Sequence, residues 1–522
     1  MTKKTLYPVS TADFERIRTE NYVYVDKTEY VYSLVTEGVF FFLGRPRRFG
    51  KSLLLSTLEA YFKGRKDLFT GLAIERLMPG KWESYPVLHL NLSGKSYCTP
   101  ESLPSLLDMH IGKWEKEYGI GKTRTALDER FYLLIESVAK QTGKKVVVLI
   151  DEYDSPLSDT IDNPELQHTF RELLYGFYSV LKKAEADIKF CMLTGVTKFG
   201  KVSVFSGLNN LKDISFVNSY AGICGVTEEE LRLVYAAGID DMAISNGWTR
   251  EETLEKLKFH YDGYHFSRSL TDVYNPFSIN NALYEGLIKD YWCASGLPTV
   301  LSKSLRKLDY DLEVLNGAIV DESSLSEMSM YTADPVSLFY QTGYLTLKSF
   351  DPVDELYTLG YPNREVERGI MNNVLKVYVP ESSNIKATIS AMRESLASGD
   401  PVRFIKLLNA FLCGVPSKLR RGIAKYENYY HTIFYCIASL IGLDTNVEYN
   451  TSEGYIDMIV RTEAYIYLIE LKINGNALDA LRQIDSRHYF RAFQTDERKL
   501  FKIGIGFSKK THSIDSVEIS ED

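Results

Sequence analysis

Three short runs read as strands: Gly38 to Leu43 (GVFFFL), apolar on both faces, Lys145 to Ile150 (KVVVLI), buried, and Ile188 to Leu193 (IKFCML). A strand with one wet side alternates in polarity. A strand covered on both sides does not, and such runs belong in the middle of a parallel sheet. Helical stretches separate them: Ser52 to Phe62, a long one that includes Phe131 to Lys140, and Glu165 to Glu185. Tyr85 to Leu92 adds another strand. Strands alternating with helices give a parallel α/β sheet with helices on both faces, expected over about residues 1–220.

The 522 residues leave room for about three domains. From Thr227 the pattern changes to short helices, Glu228 to Ala236, Arg250 to Lys258 and Ile279 to Glu285, separated by the turn-rich Tyr261 to Phe266 (YDGYHF) and by Tyr274 to Phe277. Strands are expected near Leu338 to Leu347, paired helices over Ala387 to Leu412, and a strongly apolar helix over Tyr429 to Ile441. The last hundred residues read as helix, hairpin, helix and strand. The expected division is an N-terminal α/β domain over 1–225, a mainly helical middle region and linker over 226–380, and a C-terminal α/β domain over 381–522.

The net charge of −8 excludes a general basic coat, so any nucleic-acid contact needs a local patch. The six cysteines form no CxxC pair and read as reduced thiols. The eight histidines show no metal-protease spacing. The N-terminus lacks the apolar stretch of a signal peptide, and no window approaches 18 uninterrupted apolar residues. A cytoplasmic protein without a membrane span is expected; a homo-oligomer is left open.

A loop that wraps a triphosphate offers backbone N–H groups at a helix N-terminus, a lysine for the β- and γ-phosphates, and a hydroxyl for Mg²⁺. Gly50, Lys51 and Ser52 supply these between a strand and a helix. The phosphate-binding segment is read as Arg47, Arg48, Phe49, Gly50, Lys51, Ser52 and Leu53. The spacing G-x-x-x-x-G-K-[ST] is not met, because Gly44 falls one residue early and Arg45 stands at the first-glycine position. Asp151 follows an apolar strand, where a carboxylate holds the Mg²⁺ shell. Glu152 is the candidate to polarise the attacking water. Asp154 either caps the next helix or joins the chemistry. Thr194, Thr197 and Lys198 either sense the γ-phosphate from the sheet's carboxyl edge or form an ordinary loop with a solvated lysine. Arg47 and Arg48 either offset transition-state charge or contact a partner or second domain.

YVDKTEYVYSL, RPRRFGKSLLLSTLEAYF, VLIDEYDSPL, LTGVTKFGKVSVFSGLNNLKDIS and YDGYHF together resemble the bacterial AAA-ATPase-like family. That family belongs to the P-loop NTPases and is similar to archaeal ATPases of the STAND group. The resemblance covers roughly residues 5–300. Members carry RPRRFGK followed by Thr or Ser, so the absent first glycine reads as a family trait. The resemblance implies ATP binding at Gly50, Lys51 and Ser52, with Asp151 and Glu152 in Walker B roles.

Phosphodiester cleavage needs a metal that activates water, held by carboxylates, with a lysine beside them. In Ile466 to Lys472 (IYLIELK) the period of two puts Glu470 and Lys472 on one face. Leu471 points the other way, leaving its carbonyl as a further metal ligand. Asp457 lies on the preceding strand, Tyr455 to Arg461. A turn centred between Glu463 and Ala464 puts Asp457 opposite Glu470, and a one-residue slip would part them. Glu427, ahead of the apolar helix, is a candidate for the same metal. Gln483, on the following helix, is a candidate to orient water or phosphate. Arg487, His488 and Tyr489, or Lys418, Arg420, Arg421 and Lys425, offer backbone contacts to nucleic acid or are solvated faces.

YENYYHTIFY, GYIDMIV, YLIELKINGNALDALRQI and KIGIGFS, from about Ala424 through Phe507, resemble the PD-(D/E)XK nuclease-like domain commonly fused behind that ATPase domain. The resemblance implies Asp457, Glu470 and Lys472 as active-site residues, supported by Glu427 and Gln483. Ile456 stands where the motif's name has proline. The expected whole is an ATP-binding, ATP-hydrolysing protein with a restriction-endonuclease-like domain. It would use Mg²⁺, or Mn²⁺ at the second site, and cut nucleic acid, DNA first, under nucleotide control. The competing reading is a nucleotide-dependent switch whose last domain binds without cutting. A conventional DNA motor is weaker, because no further helicase motif is present.

Overall fold

The computed structural model describes residues 5–521 except 81, 123, 199–207, 209, 296–314, 327–334, 379–383, 414–425, 452–453, 474 and 509–512. The chain forms two compact units, the first from Met1–Ser295 and Leu315–Val366, the second containing the described residues from Glu367 onward.

The first unit is built on β1 (Phe40–Gly44), β2 (Val87–Asn91), β3 (Val146–Asp151), β4 (Ile188–Gly195) and the short β5 (Lys212–Asp213). They pair in parallel in the order β2-β3-β4-β1-β5. All six residues of β3 are buried, which is why its sequence does not alternate. Among the helices, Leu127–Thr142 buries Phe131, Leu134, Ile135 and Val138 at helical spacing. Pro164–Lys183 starts with proline in its first turn and an Asn163 side chain that accepts from Leu166 N. Phe131 and Phe177 stack at 4.4 Å to join these two helices. The α/β architecture read from the sequence is the one present.

β4 lies between β1 and β3. Its last residues pair with β1 as Leu43↔Thr194 and Gly44↔Gly195. The carboxyl ends therefore bring together the loop after Gly44, Asp151 and Thr194.

The helices that follow are locally specified. Glu228–Val234 and Arg250–Tyr261 each begin with a capping box, Thr227 with Glu230 and Thr249 with Glu252. Leu231, Tyr235, Ile239, Leu257, Tyr261 and Ile279 form their shared core. The strand expected at Leu338 to Leu347 is corrected: Pro335–Gln341 is helical. A three-stranded antiparallel sheet is formed instead by β6 (Ile319–Asp321), β7 (Thr346–Asp351) and β8 (Leu356–Gly360). The run VSLFYQTGYLTL is short and apolar, and periodicity alone does not separate helix from strand there.

The second unit has helices Ile385–Ala397, Pro401–Cys413 and Tyr426–Ile441, then β9 (Asp444–Thr451), β10 (Gly454–Arg461), β11 (Tyr465–Ile473), the helix Ala477–Ser486, β12 (Lys499–Ser508) and β13 (Ser513–Glu521). The sheet order is β13-β12-β11-β10-β9. Among the described residues only β11 and β12 pair in parallel in this sheet, and the Ala477–Ser486 helix supplies the crossover such a pair requires. Ile456, Ile459, Ile466, Leu468, Ile484 and Tyr489 pack together beneath it. Among the described residues, no helix is long and apolar enough to cross a membrane.

Candidate functional site

Gly50 ends the loop after β1 with φ 101°, a left-handed backbone that glycine adopts without strain. The helix Lys51–Phe62 starts immediately after it. Lys51 is buried, and its ammonium donates to the carbonyls of Arg45 at 3.0 Å and Pro46 at 3.1 Å. It also lies 3.5 Å from a Glu152 carboxylate oxygen. Burial pushes the Glu152 carboxyl above its ordinary value, against the pull of the Lys51 ammonium. Glu152 itself has φ 54°, an uncommon backbone for a side chain of its size. Ser52 opens the same helix next to Lys51, and Leu53 follows.

Asp151 is buried, and one carboxylate oxygen accepts the Thr194 hydroxyl at 2.6 Å. Asp154 does not cap the helix Ser155–Asp159 with its side chain. It instead accepts from the Thr197 amide at 2.7 Å and from the Thr197 hydroxyl, so it fixes the loop after β4. Lys198 is turned to Asp213, 2.7 Å away, and lies over the Phe216 ring.

The residues around the loop divide into backbone and anchor roles. Arg45, at the first-glycine position, is buried and donates to the carbonyls of Gly44, Ser215 and Tyr220. Its guanidinium sits 4.3 Å from the Phe266 ring centre. Phe49 is buried edge-on against Tyr264 at 4.7 Å and Phe266 at 5.3 Å. The Arg48 guanidinium lies 4.0 Å over Phe277, and the Arg47 carbonyl accepts the Trp292 indole N–H at 3.0 Å. YDGYHF, which in the sequence read as a separator, is thus the bed of the phosphate loop. A cavity of about 80 Å³ opens beside Gly50 and Leu53, walled chiefly by Val23, Val25, Val226, Tyr235, Pro276 and Asn280. It is mostly apolar with few polar groups, which suits a flat heteroaromatic ring.

In the second unit, β10 and β11 pair from Arg461↔Ile466 to Met458↔Ile469. One step further Asp457 meets Glu470. The Leu471 amide donates to an Asp457 carboxylate oxygen at 2.7 Å, and the Asp457 amide lies 3.4 Å from a Glu470 carboxylate oxygen. Lys472 donates to Glu470 at 3.1 Å and to the Gln483 side-chain carbonyl at 2.5 Å. Glu470 is 2% exposed. Burial and then the neighbouring Asp457 charge push its carboxyl up to about 7, against the pull of Lys472. The structure therefore brings Asp457, Glu470, Lys472 and Gln483 together.

Glu427 stands in the first turn of the Tyr426–Ile441 helix, but its side chain lies outside the described residues, as do Lys418, Arg420, Arg421 and Lys425. Tyr489 is corrected: it is buried and donates to the Tyr455 carbonyl at 2.6 Å, so its ring is core. Among the described residues, no three His, Cys, Asp or Glu groups form a ready metal cluster. The donors present still fit a hard divalent cation. Two apposed carboxylates, one raised by burial and by the other's charge, with a single lysine beside them, are an oxygen donor pair.

The family model described as Predicted AAA-ATPase matches residues 8–205, and that of the PD-(D/E)XK nuclease superfamily matches residues 425–517. Over 524 residues the chain is 33% identical to an uncharacterized protein in the vnfD 5′ region of Azotobacter chroococcum mcd 1, covering 98% of each. The chain belongs to the AAA-ATPase-like family. Its C-terminal unit carries the PD-(D/E)XK nuclease-superfamily domain. In this AAA-ATPase-like protein, the first matched region contains Gly50, Lys51, Ser52, Asp151 and Thr194, and the second contains Asp457, Glu470, Lys472 and Gln483. The protein is thus a nucleotide-binding protein with a nuclease-like domain. Sequence reasoning missed the strut role of Arg45, the Phe49 bed and Trp292. The repeated aromatics of YDGYHF were the available signal.

Proposed function

We propose that the protein binds and hydrolyses ATP with Mg²⁺ in its N-terminal part and cleaves DNA with its C-terminal domain under nucleotide control. In the nucleotide site, Arg47 to Leu53 offer loop amides to the phosphates, and Lys51 exchanges its carbonyl partners for phosphate oxygens. Ser52 and Asp151 would hold Mg²⁺, Thr194 orients Asp151, and Glu152 takes the proton of the attacking water. The cavity beside Leu53 receives the base.

The observation that carries the nuclease reading is Asp457 and Glu470 apposed on neighbouring strands with Lys472 alongside. A divalent cation there, when bound, activates water and neutralises charge at phosphorus. Asp457, Glu470 and the Leu471 carbonyl would hold it. Lys472 positions the water and is itself held by Gln483, and Glu427 supports the same site. The three-part division 1–225, 226–380 and 381–522 is proposed with this reading, as is a cytoplasmic location.

The test is cleavage of plasmid, linear and single-stranded DNA with Mg²⁺ or Mn²⁺, with and without ATP. Glu470→Ala and Lys472→Ala are expected to lose about 100-fold or more. Variants cutting as fast as the parent would remove the assignment. A second reading is a nucleotide switch whose last domain only binds. ATP-dependent binding of DNA without any cutting would favour it.

A further inference from the structure

The Arg47 carbonyl, in the phosphate loop, accepts the indole N–H of Trp292, 245 residues later, at 3.0 Å. The backbone N–H of the same Trp292 donates to Glu365 at 2.5 Å, and the second Glu365 oxygen accepts the Ser278 hydroxyl at 2.7 Å. Both Trp292 and Glu365 are buried, at 6% and 1% exposure. A buried carboxylate is costly unless its oxygens are bonded, and here they are taken up by the Trp292 amide and the Ser278 hydroxyl. Glu365 is the second residue of the helix Arg364–Tyr378, which runs past Val366, the last residue of the first unit. Trp292 also packs on Tyr344 at 4.9 Å, beside Gly343, whose backbone abuts Pro46 of the phosphate loop. The loop is therefore gripped from one side by a continuous group of buried residues that ends on that helix.

We propose that Trp292 and Glu365 are positioning residues of the nucleotide site. Glu365 sets Trp292, the indole holds the Arg47 carbonyl, and a shift of the phosphate loop on binding ATP is passed to the helix Arg364–Tyr378. This rests on ATP binding at Lys51 and supplies a physical route for the nucleotide control proposed above. Neither residue touches the nucleotide in this account. A two-state element biased by the ligand is what makes such a route more than adjacency.

The experiment uses the full chain, with ATP affinity measured by calorimetry and amide exchange followed across 364–378 at saturating ATP. In the parent, ATP is expected to change exchange in this helix. Trp292→Phe keeps a ring but removes the donor. It should weaken ATP about fivefold to tenfold, the worth of one hydrogen bond, and abolish the exchange response even when saturated. Glu365→Ala should do the same, while Glu365→Gln, which keeps an acceptor, should retain the response. A purely structural role would lower melting temperature in Trp292→Phe and Glu365→Ala and leave the response intact once ATP is bound. A parent that binds ATP without any exchange change, or a Trp292→Phe variant that responds like the parent, overturns the relay alone. A parent that fails to bind ATP overturns the nucleotide reading and the relay together.

Discussion

Lys51 and Glu152 stand 3.5 Å apart at the carboxyl edge of the first sheet, the lysine almost wholly buried and the glutamate about one-fifth exposed. Each compensates the other's charge where water is scarce. Removing one partner of such a pair leaves the other uncompensated. In urea denaturation, Lys51→Ala and Glu152→Gln are expected to be non-additive. The double variant should lose less than the sum of the singles by about 1–3 kcal/mol. Strict additivity would show that the two charges do not sense one another.

The same pair separates binding from turnover. Lys51→Ala should abolish measurable ATP binding. Glu152→Gln should bind ATP at least as well as the parent and hydrolyse it about 100-fold or more slowly. Unchanged turnover in Glu152→Gln would move the base to another residue.

Gly343 has φ 86°, and a Cβ there would stand 2.6 Å from the Pro46 Cβ. Gly343→Ala is therefore strained in backbone and in space. A destabilisation of about 1–3 kcal/mol is expected, with weaker ATP binding because the displaced residue belongs to the phosphate loop. Calorimetry and thermal melting check both. Normal affinity in a destabilised variant would show that the contact serves folding only.

Glu365 gives a pH signature. Burial raises its carboxyl to about 7, with Asp290 adding to the rise and the Ser278 hydroxyl and the Trp292 and Cys293 amides opposing it. The folded state then holds a proton that the unfolded chain releases near pH 4.5. Its contribution to stability is complete below pH 4.5 and is lost as pH climbs through 7. Glu365→Gln removes that dependence. Relative to the parent it should gain on the order of 2–3 kcal/mol between pH 4.5 and 8. Parallel stability curves for the two proteins would contradict a raised Glu365.

Much of this architecture is written locally. The apolar runs announce β1, β3 and β4, and the turn between Glu463 and Ala464 fixes the register that sets Asp457 against Glu470. Two things are not local. Arg45 looks like a lost glycine until Ser215 and Tyr220, some 170 residues away, supply the carbonyls it holds. Likewise, nothing near Trp292 in the sequence points to Arg47. β9, Asp444–Thr451, is not legible in the sequence, because DTNVEYNT is too polar to stand out from a loop. Its strand state comes from its pairing with β10.

Calorimetric titration of Mn²⁺ into the nucleotide-free protein probes the pairing of Asp457 with Glu470 most directly. One ion should bind per chain in the parent, and that binding should vanish in both Asp457→Asn and Glu470→Gln while Lys51→Ala retains it. A parent that takes up no Mn²⁺, or carboxylate variants that bind it as the parent does, would contradict the metal-dependent nuclease site.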